Sequence, residues 1–113
     1  MTQENFRTKV FNRAREIQTE SGKTWAVSLV ISWRAYRLIK RMRKGEVMFA
    51  FEKKDGSLRY AKGTLSVNNI PQVFAPKGIR RDNYKSINYF DIEKQEWRSF
   101  KTQNLLSVYE AND

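Results

Sequence analysis

The hydrophobic pattern of the chain changes its period at Gly45, and this change limits the possible folds more than any other feature. Before Gly45, apolar residues recur every three or four positions, as along one side of a helix; examples are Phe6, Val10, Ala14 and Ile17. After Gly45, apolar and polar residues alternate, as in "EVMFAFEKK", which is typical of a strand with one buried face. The sequence therefore predicts an α+β protein in which helices precede strands.

Two helices are predicted before the change of period. The first covers "NFRTKVFNRAREIQTE" and ends at Ser21-Gly22, because glycine readily adopts the backbone conformation that terminates a helix. Thr24 is a suitable N-cap for the second helix, which we expect to continue to about Lys44 with Gly45 as its terminator. At helical spacing one apolar stripe of the second helix contains Val27, Ile31, Ala35, Leu38, Ile39 and Met42.

Five short strands are predicted after Gly45. Asp55-Gly56 is a strong hairpin signal between "EVMFAFEKK" and "SLRYAKGTLS", and Gly63 in the second segment indicates a bulge or a sharp bend. A long connection leads to a second hairpin, "SINYFDI" and "EWRSFK", and then to a final strand, "LLSVYE". This order favours a small, strongly bent barrel. Its expected core includes Phe49, Phe51 and Phe100.

Three stretches of the second half carry a family resemblance: "FEKKDGSLRYAKGTL", "IP" and "YFDIEKQEWRSFKTQNLLSV". They resemble the WYL-like families with an Sm-like, SH3-type barrel, in particular the small stand-alone form of Bacteroidetes and phages. The resemblance implies a two-helix leader, residues 1–45, followed by a five-stranded SH3/Sm-like barrel, residues 46–113. It also implies a binding module, often linked to nucleic acid or regulation, and not an enzyme. Larger WYL proteins place a winged-helix DNA reader in front of the barrel, and two helices are too few for one.

The composition restricts the chemistry that the chain can perform. The 113 residues include no cysteine and no histidine, which excludes disulfides, His-ligated metals and the Ser-His relay. The sequence has no run of 18 apolar residues and no secretory signal. We attribute the nearby acids Asp91, Glu93 and Glu96 to a polar hairpin turn. The expectation is a cytoplasmic protein with no cofactor, no metal, no membrane contact and no catalytic residue.

The net charge of +10 favours a polyanionic partner. Residues 1–45 hold 11 lysines and arginines against 3 acidic residues, whereas residues 46–113 hold 11 against 9. No acidic residue lies between Gly22 and Gly45. The second helix gathers its cations in what we call the basic arc: Arg34, Arg37, Lys40, Arg41 and Lys44. Trp33 projects near this arc, where an aromatic ring suits nucleic acid; the alternative is burial against the barrel.

Two further groups are candidate sites. The long connection carries Lys77, Arg80 and Arg81, either as binding residues of a surface loop or as solvated charges. Arg98 shares a strand face with Phe100, so it either pairs with a carboxylate such as Asp91 or contacts a phosphate or base. The family resemblance implies that this strand contributes an arginine to a ligand groove, here formed by Arg59, Trp97 and Arg98. Trp97 itself either packs under the helices or is half exposed as a stacking surface. Lys53, Lys54 and Arg59 flank the first hairpin, where they would protect a sheet edge.

The favoured function is a non-enzymatic nucleic-acid-binding protein, an accessory or regulatory factor of a bacterium or phage. It would bind mainly through phosphate contacts made by the basic arc, the long connection and Arg98. One alternative is a sensor or sponge for a small anionic ligand, such as a nucleotide, in the ligand groove. The other is a protein-interaction module whose basic helix docks on an acidic host or phage partner.

Overall fold

A computed structural model describes residues 5–74 and 84–109, and two helices precede five strands, which confirms the predicted order. The helices are α1 (Phe6–Ser21) and α2 (Trp25–Met42). The strands are β1 (Glu46–Glu52), β2 (Leu58–Thr64), β3 (Ser86–Asp91), β4 (Glu96–Lys101) and β5 (Leu105–Tyr109). Two short 3-10 turns complete the described structure, at Gln72–Phe74 and Thr102–Asn104.

Local capping explains where the helices begin and where α1 ends. The side chains of Asn5 and Thr24 each accept a hydrogen bond from the backbone N–H three residues further on, at 2.9 and 3.2 Å. Gly22 follows α1 with φ at 74°, and its N–H donates to the Gln18 carbonyl. These caps agree with the sequence prediction for Gly22 and Thr24.

The end of α2 differs from the prediction. The helix stops at Met42, before Lys44, and Gly45 is outside the left-handed region. The N–H groups of Lys44 and Gly45 instead donate to the Arg41 carbonyl at 3.0 and 3.2 Å. The Thr64 hydroxyl then donates to the carbonyl of Gly45 at 2.8 Å. The helix end is therefore held by hydrogen bonds to β2, and Gly45 is not the terminator.

The strands form one antiparallel sheet in the order β4-β3-β2-β1-β5. β1 and β4 are three strand steps apart, which is about 14 Å in a flat sheet. The rings of Phe51 in β1 and Phe100 in β4 nevertheless stack with centroids 4.4 Å apart. The sheet must therefore curl strongly, as the predicted barrel requires. Among the described residues no β4–β5 pairing closes it, so these strands are its two edges.

Gly63 has a different role from the predicted bulge. The β1–β2 register runs without a break past Gly63, and the irregularity lies between Ala50 and Phe51 where β1 pairs with β5. A Cβ atom at Gly63 would lie 2.6 Å from Tyr89 Cδ2 and 3.0 Å from Phe49 Cε1. Glycine is required here because two core rings pack directly against the backbone.

One hydrophobic core joins α2 to the curled sheet. Its buried members are Ala35, Leu38, Met42, Val47, Phe49, Phe51, Ala61, Ile87, Tyr89, Phe100 and Leu105. The predicted burial of Phe49, Phe51 and Phe100 is thus confirmed. Val27, placed on the same stripe from its spacing, is instead 46% exposed, because it lines an open groove between the first half of α2 and residues 103–106. The core crosses residue 45, and the division into 1–45 and 46–113 stays a prediction.

Candidate nucleic-acid interface

The basic arc of α2 is divided between two grooves. Arg34, Arg37 and Arg41 line a groove of about 300 Å³ that α2 forms with β5. Lys40 lines a second groove, of about 210 Å³, between the helices. Lys44 is exposed just beyond the helix end. The groove between the helices also contains cations outside the predicted set, namely Lys9, Arg13 and Arg43. Spacing along α2 alone did not reveal them because α1 supplies two of the three.

The cations of α2, all at least partly exposed, have no acidic partner within the described ranges. The ion pairs seen there join Arg59–Asp91, Lys62–Glu46, Lys85–Glu20 and Arg98–Glu96. Arg34 only donates to the Leu105 carbonyl, at the long distance of 3.5 Å. The positive charge of α2 is therefore left for an anion outside these residues to neutralise.

Trp33 is not buried against the sheet, so that alternative is wrong. Its side chain is 38% exposed and its ring packs on Phe6 of α1 and on Tyr36, with centroids 5.6 and 6.0 Å away. Helical spacing places Trp33, Arg37 and Lys40 on one stripe of α2. The sequence had assigned Phe6 to an apolar helix face, and its 43% exposure could not be foreseen without knowing how the helices dock.

The ligand groove brings Arg59, Trp97 and Arg98 together around about 420 Å³, beside the Phe51–Phe100 stack. Four cations surround it in addition to Arg59: Lys53, Lys54, Arg98 and Lys101. Lys53 and Lys54 belong to the hairpin between two inner strands. Protection of a sheet edge therefore does not account for them.

Asp91 is paired with Arg59, not with Arg98. Arg59 Nη2 donates to Asp91 Oδ2 at 2.7 Å, and the Asp91 side chain is only 1% exposed. Arg98 forms an exposed ion pair with Glu96, two residues earlier on the same strand. The strand register explains this, because Arg98 lies opposite Tyr89 while Asp91 lies opposite Glu96.

Two buried polar atoms belong to residues of the ligand groove. Neither the Tyr89 hydroxyl nor Arg59 Nε forms a hydrogen bond of good geometry with a described residue, although the two side chains lie close enough for the Arg59 guanidinium to act on the Tyr89 hydroxyl. Burial and the negative charge of Asp91 raise the pKa of Tyr89, and the Arg59 charge partly opposes them. The Tyr89 hydroxyl therefore stays protonated at neutral pH. A neutral donor beside several cations is an arrangement that suits an anionic oxygen.

Trp97 packs on the strands and does not lie under the helices. Its Nε1 donates to the Phe74 carbonyl at 2.7 Å, and its ring meets Phe90 edge-on at 5.7 Å. The indole N–H is thus occupied by a 3-10 turn. Trp97 is half-buried, which leaves only part of its ring for a ligand.

The remaining candidate site residues are the cations of the long connection and the acidic residues near the second hairpin. Lys77, Arg80 and Arg81 lie outside the described residues. Asp91 Oδ1 accepts the Lys94 N–H at 2.9 Å and so caps the turn after β3. Within the two described ranges, no three acidic, histidine or cysteine side chains come together to hold a metal ion. In the same ranges, neither helix is long and apolar enough to cross a membrane.

Comparison with known proteins identifies the family. The WYL_2 family, described as an Sm-like SH3 beta-barrel fold, matches residues 35–106. The chain is also 32% identical over 71 residues to the "Uncharacterized 11.5 kDa protein in Gp31-cd intergenic region" of Enterobacteria phage T4. That alignment covers 60% of this chain and 70% of the phage protein. No solved structure matches the chain. The family match runs from the middle of α2 to β5 and confirms the resemblance found in the sequence: the chain belongs to the WYL_2 family.

Proposed function

We propose that this protein binds nucleic acid through its phosphates, without performing chemistry, as a small accessory or regulatory protein of a bacterium or phage. The observation that carries the proposal is the set of cations on α2, exposed at Arg37 and Lys40 and partly exposed at Arg34 and Arg41, that have no acidic partner among the described residues. The family match and the phage T4 relative support the biological setting.

The length of the basic arc favours a polymer over a small ion. Arg34 and Arg41 are seven residues apart, or about 10 Å along the helix axis. Duplex DNA carries one charge per roughly 1.7 Å, so about six phosphates fall within that length. A polyanion that crosses the exposed side of α2 can also contact Lys40 in the groove between the helices, which a mononucleotide bound beside β5 does not reach.

The salt dependence of binding tests this proposal. Each lost phosphate contact lowers the slope of log affinity against log salt by roughly 0.7 to 0.9. The double variant Arg37→Gln/Arg41→Gln should therefore flatten the slope by about one to two, without changing sequence preference, because phosphates carry no sequence information. Lys53→Gln/Lys54→Gln removes the same charge from the β1–β2 hairpin and should leave the slope unchanged.

Two results would contradict the proposal. Equal flattening by both double variants would mean that net charge, and not the α2 surface, governs binding. Failure of the natural protein to bind any DNA or RNA at low salt would end the nucleic-acid assignment and leave an acidic protein as the partner to seek.

A small anionic ligand in the ligand groove is the second candidate function. The buried Tyr89 hydroxyl and Arg59 Nε favour it, since neither forms a hydrogen bond of good geometry with a described residue and such groups are costly unless a ligand or water satisfies them. Calorimetric titration with nucleoside mono- and diphosphates should then show binding that Arg98→Gln weakens and Arg37→Gln/Arg41→Gln does not. Absence of heat at millimolar nucleotide would remove this candidate.

A further inference from the structure

Three aromatic rings form a cluster on the surface of the two helices, which we call the aromatic platform: the exposed Phe6 and Trp33 and the partly buried Tyr36. The Phe6 centroid lies 5.6 Å from that of Trp33 and 6.2 Å from that of Tyr36, and the last two rings are 6.0 Å apart. None of the three belongs to the hydrophobic core between α2 and the sheet. Phe6 and Trp33 keep 43% and 38% of their surface exposed.

The helices also meet through buried residues outside this platform. Val10 and Ala14 of α1 are fully buried, and Ile17 is 2% exposed. The Ser32 hydroxyl of α2 also donates to the Val10 carbonyl at 2.6 Å. Because these residues already join α1 to α2, we interpret the large exposed rings as a candidate interaction site.

Cations flank the aromatic platform. Arg37 and Lys40 follow Trp33 at four and seven residues, so the three side chains share one stripe of α2. On α1, the Arg7 guanidinium carbon lies 6.0 Å from the Phe6 ring centroid. α2 contains no acidic residue. The surface therefore offers ring faces for flat apolar groups and, within one or two helical turns, positive charges for anions.

We propose, on the basis of the function proposed above, that the aromatic platform stacks unpaired bases and that the ligand is a single-stranded nucleic acid. Aromatic rings beside a basic surface bind single strands because every base has a face that can stack, whatever the sequence. In a duplex those faces are covered by neighbouring base pairs. The charge and the rings lie together on one surface, which also argues against a second copy of this basic chain as the occupant.

The chain contains a matched control pair for this surface. Trp25 and Phe11 pack with centroids 6.2 Å apart and planes tilted by 47°, against 5.6 Å and 48° for Trp33 and Phe6. Trp25 is 39% exposed, close to the 38% of Trp33. Four and seven residues after Trp25, however, stand Leu29 and Ser32, and the adjoining end of α1 carries the acidic Glu16 and Glu20. This second ring pair therefore lacks the α2 cations that follow Trp33, although Arg7 and Arg15 lie one helical turn on either side of Phe11 on α1.

The experiment compares Trp33→Leu with Trp25→Leu in the full chain, after thermal melting has established that each variant is folded. Affinity is measured by fluorescence anisotropy for a single-stranded oligonucleotide of about 20 nucleotides, as DNA and as RNA, and for a DNA duplex of the same length. Loss of one stacked base corresponds to about 5- to 150-fold in affinity. We expect that loss for single strands in Trp33→Leu only, with duplex affinity changed less than about twofold. Phe6→Leu is the second variant if Trp33→Leu fails to fold.

The possible failures can be told apart. Equal losses in Trp33→Leu and Trp25→Leu, equal losses for single strand and duplex, or no loss in either variant would each overturn base stacking on the platform. Phosphate binding by α2 would survive any of these, provided that the natural protein still binds with a strong salt dependence. Absence of all nucleic-acid binding would overturn the proposed function together with this inference.

Discussion

Replacing Gly63 with alanine should destabilise the protein, although the same change usually stabilises an ordinary extended backbone. Gly63 does not have a positive φ, so alanine by itself would raise the free energy of unfolding by about 0.4–1 kcal/mol through the unfolded chain. The new Cβ would, however, lie 2.6 Å from Tyr89 Cδ2 and 3.0 Å from Phe49 Cε1. Both rings are fully buried and meet edge-on at 5.0 Å. Neither ring can move without displacing the rest of the core.

The balance of these effects sets the magnitude. Forcing an extra methyl group into a packed core costs about 1–3 kcal/mol. A Cβ 2.6 Å from a buried ring atom is far inside van der Waals contact, so the upper half of that range applies, and subtracting the backbone gain leaves a net loss of about 1–2.5 kcal/mol in the free energy of unfolding. The penalty should shrink when Tyr89→Leu is also present, because the contact that causes it is then removed.

Urea unfolding followed by tryptophan fluorescence measures this loss, and Gly45→Ala is the control. A Cβ atom at Gly45 would have no described neighbour within 4 Å, and this glycine has no positive φ. Its replacement should therefore leave the free energy of unfolding unchanged or raise it by up to about 1 kcal/mol. A Gly63→Ala protein as stable as the natural one would refute the packing argument. Equal losses in both glycine variants would do the same.

Three further outcomes follow from the core and the buried ion pair. Phe100→Ala should lower the free energy of unfolding by about 3–5 kcal/mol; a loss below about 1 kcal/mol in the same urea assay would place Phe100 outside the core. Arg59→Met leaves the buried Asp91 carboxylate without its ion partner and should cost about 3–5 kcal/mol, whereas Arg98→Gln breaks only an exposed pair and should cost about 0–1 kcal/mol; similar costs would contradict this ranking. Burial raises the pKa of Tyr89 in the folded protein, so the unfolded chain loses that proton first and stability falls as the pH rises above about 10. Tyr89→Phe should make that alkaline decline shallower, and an unchanged pH profile would show that Tyr89 does not contribute to it.

The local structure of this protein could be predicted from short stretches of sequence. Thr24 and Gly22 mark helix ends through interactions that lie within one turn of the chain. The Thr24 hydroxyl accepts a hydrogen bond from a backbone N–H of the first turn, and Gly22, which has no Cβ, adopts the left-handed conformation that ends a helix. Asp55-Gly56 marks the first hairpin for a similar reason, since Gly56 adopts φ of 87° and Asp55 accepts the Ser57 N–H at 2.9 Å. The change of period at Gly45 indicated the order of helices and strands because spacing decides which side chains share a face.

The candidate surfaces were only partly predictable. The sequence indicated that α2 is basic and free of acidic residues, since charge is a property of composition. It did not indicate that the basic arc divides between two grooves, or that α1 adds cations to one of them. Those features depend on how α1 and β5 pack beside α2, and this packing cannot be predicted from the sequence of α2 alone.

The tertiary structure alone decided which distant residues meet. Asp91 pairs with Arg59 and not with Arg98, because strand register brings β2 and β3 together. Position 63 must be glycine because two rings from other strands pack directly against its backbone. The strand propensity of the surrounding residues gives no indication of this contact. Phe6 and Trp33 pack on each other across the two helices and still remain exposed, because Val10, Ala14 and Ile17 fill the buried part of the helix contact. Sequence spacing determines which side chains share a face, but long-range packing determines what covers that face.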